Sequence, residues 1–286
     1  ENPQYVVTTD ITYAQVDSWY GHSRRDLKMD LIYPEDMEGR TYPCIVWICG
    51  GGWLRMDKSA HLAYLAQLAQ KGFAVASVQY RTSNEGSFPM QLVDVKAAIR
   101  YLKAHADRFR INKEQMGVMG ESAGGYLTCM AALDHDPALD VGEYLEESSE
   151  VQAACPWYPP TDLSAFPCES AEQCASSAES LLLGFNSKRN REKAYNCSPV
   201  SKVTKDAPPF LIIHGDNATE RFPQIVYLVV NCIANSNFSA LYEGIGDAID
   251  KALGNIRPVY AKEIARTNGL GRKAEKVKEY VERFAI

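Results

Sequence analysis

Residues 116–125 read Met-Gly-Val-Met-Gly-Glu-Ser-Ala-Gly-Gly, and this stretch decides the fold. The apolar run 116–119 is typical of a buried strand, and residues 126–133 have helix-compatible spacing. Between them lies a G-x-S-x-G pattern, whose glycines permit a sharp strand-to-helix turn. We therefore predict that Ser122 stands at a helix N-terminus, where N–H groups favour negative charge, and that its hydroxyl is a nucleophile. The alternative is a plain turn, because small residues produce this pentapeptide by chance.

Three consecutive glycines follow an earlier apolar run, residues 44–49. The run does not alternate with polar residues, which is typical of a strand buried on both faces of a parallel sheet. Gly50, Gly51 and Gly52 would leave backbone N–H groups accessible to an anionic oxygen. We interpret this segment as part of the same site as Ser122; a flexible loop is the alternative.

Strand and helix patterns alternate along much of the chain, which predicts an α/β fold with a mostly parallel central sheet and helices on both faces. An antiparallel hairpin of edge strands is expected first, over residues 5–16 and 27–33. We interpret residues 1–286 as a single domain. Further strands are expected at 73–80, 151–157, 210–213 and 239–243, and helices at 61–68, 92–108 and 273–284.

Residues 163–206 are rich in Ser, Glu and Lys, with helical patches at 171–183 and 188–195. Ligands of open α/β sheets bind at the carboxyl ends of the strands, where inserted segments often form lids. We therefore predict a small lid-like insertion here. The alternative is a surface loop without a role in binding.

Composition excludes several classes of protein. Hydrophobic residues make up 46% of the chain and charged residues 23%, and the net charge of −6 is spread along the sequence. Without a cationic stripe, binding to nucleic acid or to a membrane surface is not expected. The first residues lack the apolar core of a signal peptide, which favours a cytoplasmic location, although a removed signal peptide would leave secretion open.

The eight cysteines are irregularly spaced and mostly lie in apolar runs, as buried free thiols do. Cys168 and Cys174 could pair. No clustered His, Cys or Asp spacing indicates a metal site and no phosphate-binding loop is present in the sequence, so no cofactor is expected.

Three blocks occur in a fixed order: Cys49-Gly50-Gly51-Gly52-Trp53, then Gly120-Glu121-Ser122-Ala123-Gly124-Gly125, then residues 207–216, Ala-Pro-Pro-Phe-Leu-Ile-Ile-His-Gly-Asp. Together they resemble the α/β-hydrolase superfamily, and within it the hormone-sensitive-lipase-like and bacterial feruloyl-esterase-like carboxylesterases. The resemblance implies that Ser122 is the nucleophile and that the oxyanion hole consists of the N–H groups of Gly51, Gly52 and Ala123. Cys49 replaces the histidine that precedes the glycines in the family, which should alter the support of the loop more than its donors.

The expected acid and base of the triad are missing. In the family the order is Ser, Asp, His, and the acid position corresponds here to Ala218. The base usually follows a Gly-x-Gly, where this sequence has Asp247. A carboxylate near its ordinary pKa is a poor acceptor for a serine proton. The acid and base are therefore unassigned, and the other candidates are Asp216, Glu220, Asp250, His135 and His214.

We predict a carboxylic ester hydrolase acting on short acyl or aryl esters, with plant-wall acetyl and feruloyl esters among the candidates. Trp53, Trp157 and Tyr158 are expected to line the substrate pocket, unless they are core residues. The alternative function is a catalytically impaired hydrolase-fold protein that binds a ligand or partner, because the triad is incomplete. The sequence leaves the oligomeric state open.

Overall fold

A six-stranded mixed sheet forms the centre of the computed structural model, which describes residues 4–18, 21–35, 39–168 and 170–213. Its strands are β1 (Tyr5–Asp17), β2 (Arg24–Pro34), β3 (Tyr42–Ile48), β4 (Ala74–Val78), β5 (Ile111–Glu121) and β6 (Ala153–Trp157). They lie in the order β1-β2-β4-β3-β5-β6. The predicted strand 239–243 and helix 273–284 fall outside the described residues.

The first two strands form the predicted antiparallel hairpin, in which Leu31 faces Thr8 across the pair. β2 runs antiparallel to β4, whereas β3, β4, β5 and β6 are mutually parallel. The alternation of strands and helices predicts this arrangement, since parallel neighbours need crossover connections. The carboxyl ends of β3, β5 and β6 therefore meet at one edge of the sheet.

Helices cover both faces of the sheet, and apolar side chains fill the space between the layers. α1 packs over Trp47 and Val75 on one face, whereas α2 and α4 lie over the larger cluster on the other face. The helices are α1 (Leu62–Ala69), α2 (Met90–Ala104), α3 (Ala106–Phe109), α4 (Ala123–Leu133), α5 (Ala171–Ala175), α6 (Ala178–Leu183) and α7 (Arg191–Asn196). Within the described ranges, none of these helices combines the length and hydropathy needed to span a membrane.

Three predicted elements differ from the structure. The helix expected over residues 92–108 divides at His105, whose backbone leaves the helical region with φ −111° and ψ 21°. The patch at 171–183 forms two helices, because the Ser177 side chain accepts a hydrogen bond from the N–H of Ser180 and starts a new one. The strand expected at 210–213 consists of two isolated parallel bridges to β6, at Phe210 and Ile213.

Candidate active site

Ser122 occupies a strained turn between β5 and α4. Its φ is 52° and its ψ −118°, a conformation that residues other than glycine rarely adopt. The N–H of Ser122 donates to the carbonyl oxygen of Trp157 at 2.9 Å, and its own carbonyl accepts from Tyr126 at 3.0 Å. The turn is therefore fixed to β6 on one side and to the first helical turn on the other, and Ser122 borders an open cavity.

Gly124 allows the helix to start this close to the sheet. A Cβ atom at this position would lie 2.0 Å from the carbonyl oxygen of Ile48, at the end of β3. No side chain fits in that space, so the second glycine of the pentapeptide is required by a close approach between backbones. This contact also places the N-terminus of α4 beside the loop that follows β3.

The triple-glycine loop reaches the same place from β3. A Cβ atom on Gly50 would be 3.2 Å from the Cβ of Ser122, so the two segments are in contact. Gly52 and Ala123 border the cavity with Ser122. Gly51 has a φ of 124°, and a Cβ there would be 2.2 Å from the carbonyl oxygen of Arg55. Gly51 therefore shapes the turn and does not border the cavity itself.

The cavity beside Ser122 has a volume of about 210 Å³. Its apolar side chains come from the glycine loop, from the segment after β6 and from the predicted insertion; they are Trp53, Pro159, Pro160, Phe166 and Ala178. The insertion thus contributes to the walls of the cavity, whose size is below the range of about 300–1,000 Å³ usual for drug-sized ligands.

The three aromatic residues predicted for the pocket differ in position. Trp53 and Tyr158 line the cavity. The Trp53 ring is buried and packs edge-on to Tyr126, whereas the Tyr158 side chain is exposed. Trp157 does not border this cavity. Because successive strand side chains point to opposite faces, its ring lies under α1 against Trp47, with centroids 5.4 Å apart.

Glu121, the residue before Ser122, joins side chains from two other segments. Its Oε1 lies 3.1 Å from Nε2 of His61, and its Oε2 accepts a hydrogen bond from the Tyr158 hydroxyl. Burial and the adjacent carboxylate raise the pKa of Tyr158 well above its ordinary value. This cluster was not predicted, because His61 and Tyr158 lie far from Glu121 along the chain and no spacing rule connects them.

Two further titratable groups near Ser122 were not predicted either. Glu179, at the start of α6, borders the cavity, and burial raises the pKa of its carboxyl group against the opposing effect of hydrogen bonds from its own N–H and from Ser177. Cys49 lies beneath the glycine loop, where burial likewise raises the pKa of its thiol. A glutamate near a helix start is a common capping signal, so its sequence position carried no information about the cavity.

The base of the triad is not found among the described residues. Asp216, Glu220, Asp247 and His214 lie outside them. His135 follows the C-terminus of α4, the opposite end from Ser122, and an 11-residue helix separates the two by about 16 Å. Its ring lies 3.9 Å from the carboxylate of Glu150. His135 is therefore excluded as the base, and no histidine of the described ranges borders the cavity.

A serine in a strained strand-to-helix turn, at the carboxyl edge of a mostly parallel sheet and beside a glycine loop, defines an α/β hydrolase. The comparison with protein families agrees, since the model of the BD-FAE family matches residues 29–220. The chain belongs to the BD-FAE family, and the resemblance found in the sequence is confirmed.

Individual relatives support the same assignment. The probable carboxylic ester hydrolase LipM of Mycobacterium tuberculosis is 30% identical over 205 residues, which span 70% of this chain and 47% of LipM. A truncated carbohydrate esterase from gut microbiota matches with a TM-score of 0.69 and 29% identity, over 84% of this chain and 88% of that one. The chain spans about half the length of the curated relatives it matches.

A more distant structure supports the fold alone. The butyrate-bound esterase 2 of Thermogutta terrifontis is 22% identical and has a TM-score of 0.63, with 92% of this chain and 94% of that chain covered. The similarity extends over nearly the full length of both chains, so the architecture is common to both proteins.

Proposed function

We propose that this protein hydrolyses carboxylic esters through an acyl-enzyme formed on Ser122. The observation that carries the proposal is the position of Ser122, in a strained turn at the N-terminus of α4 and in contact with the glycine loop. The Ser122 hydroxyl attacks the ester carbonyl and forms a tetrahedral intermediate. Collapse of that intermediate releases the alcohol, and water then cleaves the acyl-enzyme to the free acid.

The oxyanion is stabilised by backbone N–H groups. Gly52 and Ala123 border the cavity on either side of Ser122, and the first N–H groups of a helix have no carbonyl partner within that helix. The N–H of Ser122 is already bonded to Trp157, so it does not contribute. Gly51, the third predicted donor, supports the loop conformation that presents Gly52. Loss of one such donor typically costs on the order of 100- to 1,000-fold in turnover.

The cavity favours short acyl groups. About 210 Å³, bordered by Phe166, Ala178 and the two prolines, suits an acetyl group up to a butyryl group better than a long chain. The insertion that carries Phe166 and Ala178 acts as the lid of this pocket. The gut relative is a carbohydrate esterase, which supports esters of sugar hydroxyls as the natural substrate class. Glu179 would accept a hydrogen bond from such a hydroxyl.

The proton acceptor for Ser122 is proposed to lie outside the described residues, because no histidine of the described ranges borders the cavity. Among the described histidines, His61 is directed to Glu121, and His135 lies beyond the far end of α4. The proposed acid and base are therefore in residues 214–286, where the candidates named from sequence are His214, Asp216, Glu220, Asp247 and Asp250. Burial of such a carboxyl group would raise its pKa toward the range of a useful base.

Two measurements on the full chain test the function. The first is covalent labelling by a fluorophosphonate, with the modified residue located by peptide mass spectrometry. The second is the turnover of p-nitrophenyl acetate, butyrate and octanoate. We expect labelling at Ser122, a preference for acetate and butyrate, and a loss of turnover on the order of a million-fold in Ser122→Ala.

Ser176→Ala is the matched control, because Ser176 is exposed at the end of α5 and away from the cavity. It should label and turn over substrate like the wild type. Absence of labelling together with turnover no faster than buffer would contradict the proposal and favour a ligand-binding protein on a hydrolase fold. Labelling at a serine other than Ser122 would contradict the assignment of the nucleophile.

A further inference from the structure

Three side chains with different metal-binding atoms meet behind the candidate active site. Cys49 follows β3, His61 precedes α1 and Glu121 ends β5. The Sγ of Cys49, a ring nitrogen of His61 and a carboxylate oxygen of Glu121 all lie within 4.8 Å of one another. The fold brings them together from three separate segments, so their spacing in the sequence does not resemble that of a metal site.

The distances suit a tetrahedral ion. Ligand atoms bound at about 2.0–2.3 Å to zinc are about 3.3–3.8 Å apart. The His61 and Glu121 atoms are 3.1 Å apart, slightly closer than this range, and no two of the three atoms are more than 4.8 Å apart. Rotations of the side chains that move their ends by about an ångström would therefore bring all three atoms to bonding distance.

The surroundings resemble those of bound metal ligands. The second carboxylate oxygen of Glu121 accepts from the Tyr158 hydroxyl, which orients the first oxygen towards His61. The backbone of Asp57 hydrogen-bonds the sulfur of Cys49. Trp47 packs edge-on against the His61 ring, with centroids 5.5 Å apart. The side chain of His61 is 37% exposed, so an ion can enter from solvent and keep a water in the fourth position.

We propose that Cys49, His61 and Glu121 form a binding site for one Zn²⁺ ion. The thiolate and the carboxylate together supply two negative charges, which match the charge of the ion, and the thiol proton leaves to solvent on binding. Sulfur and imidazole ligands favour zinc over magnesium or calcium, which prefer oxygen. Because Cys49 precedes the glycine loop and Glu121 precedes Ser122, the ion would bind next to both backbone segments that form the candidate active site.

Direct metal binding tests the site without a measurement of ester turnover, so its outcome is independent of the proposed function. The full chain, purified in chelator and reductant, is titrated with Co²⁺ and then Zn²⁺. We expect one Co²⁺ per chain with a thiolate-to-cobalt charge-transfer band in the near ultraviolet, displaced by Zn²⁺ and not by Mg²⁺. Cys49→Ser, His61→Asn and Glu121→Gln should each weaken Zn²⁺ binding by at least about tenfold.

Control variants keep the test specific. Cys197→Ser and His135→Ala remove a free thiol and a histidine from outside the cluster, and both should bind Zn²⁺ like the wild type. Circular dichroism confirms that each variant is folded, and the three ligand variants provide independent readings if one fails to fold. Zn²⁺ affinity unchanged in the folded ligand variants, or a cobalt complex without the thiolate band, would overturn the proposal.

Discussion

The backbone N–H of Ser122 lies 2.9 Å from the carbonyl oxygen of Trp157 and donates to it. This bond connects the turn after β5 to the end of the neighbouring strand β6. The residue after Trp157, Tyr158, is in turn hydrogen-bonded to Glu121, the residue before Ser122. The ends of β5 and β6 are thus hydrogen-bonded to each other, and contacts of Ser122 itself and of the preceding residue maintain the strained conformation of Ser122.

Gly124→Ala should unfold or strongly destabilise the protein. The new methyl group would lie 2.0 Å from the backbone oxygen of Ile48, and a helix and a strand would have to separate to admit it. Overpacking of this kind costs about 1–3 kcal/mol or more. Urea unfolding measures the loss. Gly117→Ala, in β5, is the control, since the nearest contact of its new methyl group would be an ordinary 3.4 Å. Equal losses of stability in both variants would contradict the reason given.

Ala178→Leu should narrow the range of esters that are accepted. Ala178 borders the cavity and lies opposite Gly52, where a Cβ would be 3.6 Å from its own Cβ. A leucine would occupy part of the space for the acyl group. We expect turnover of p-nitrophenyl butyrate to fall at least about tenfold relative to acetate, because one methylene in an apolar pocket is worth about 10- to 200-fold.

The control for acyl-chain preference is Ala175→Leu, an exposed change in α5. It should leave the ratio of butyrate to acetate turnover unchanged. A preference for butyrate that persisted in Ala178→Leu would mean that the acyl group binds elsewhere.

Glu179→Gln should change how stability depends on pH. Burial raises the pKa of Glu179, so the folded protein binds this proton more tightly than the unfolded chain does. The wild type therefore loses stability as pH rises from the ordinary glutamate pKa through the raised value, by about 1.4 kcal/mol for each pKa unit of difference. The glutamine variant lacks this loss and should gain stability relative to the wild type as pH rises above the ordinary glutamate pKa.

Thermal or urea unfolding across that pH range checks the effect. Glu192→Gln, an exposed first-turn glutamate of α7, is the control and should not alter the pH profile. If the wild type instead became more stable relative to Glu179→Gln as pH rises, the prediction would be contradicted.

Asp30→Asn should reduce stability at neutral pH. Asp30 is fully buried in β2 and accepts hydrogen bonds from Lys58 at 2.6 Å, from Ser59 at 2.8 Å and from the Asp10 N–H at 2.9 Å. Burial alone would raise its pKa, but these bonds outweigh burial and the pKa lies below its ordinary value. Hydrogen bonds to a charged group contribute about 1.5–3 kcal/mol, so a loss of about 2 kcal/mol is expected.

The effect of Asp30→Asn should disappear in acid. Because the folded-state pKa is lowered, the stabilisation is present above the ordinary aspartate pKa and is lost as pH falls through the folded value. The measurement is urea unfolding of the wild type and of Asp30→Asn, at pH 7 and at the lowest pH where the protein folds. Glu172→Gln, which removes an exposed ion pair with Arg189, is the control and should cost much less stability than Asp30→Asn. If the difference in unfolding free energy between Asp30→Asn and the wild type grew in acid, the stabilising role given to the Asp30 carboxylate would be contradicted.

The sequence predicted the elements whose signals are local. The hairpin of β1 and β2, the buried strands and the turn at Ser122 all depend on residues within a few positions of one another. The division of the long helix at His105 was missed, because apolar spacing continues through that residue while its backbone leaves the helical region. Trp157 was predicted to line the pocket but does not border the cavity beside Ser122, because strand register decides which face of the sheet a side chain takes.

The amino-acid sequence by itself determined the turn at Ser122 and the glycine loop, since only glycine fits the backbone approach at Gly124 and the φ of Gly51. It also determined the parallel sheet that carries both. Only the tertiary structure decided which side chains meet behind Ser122. Cys49, His61 and Glu121 belong to three segments and come within 4.8 Å because the parallel strands β3 and β5 end at the same edge of the sheet. Contacts between distant segments follow from chain packing, and local sequence patterns do not encode them.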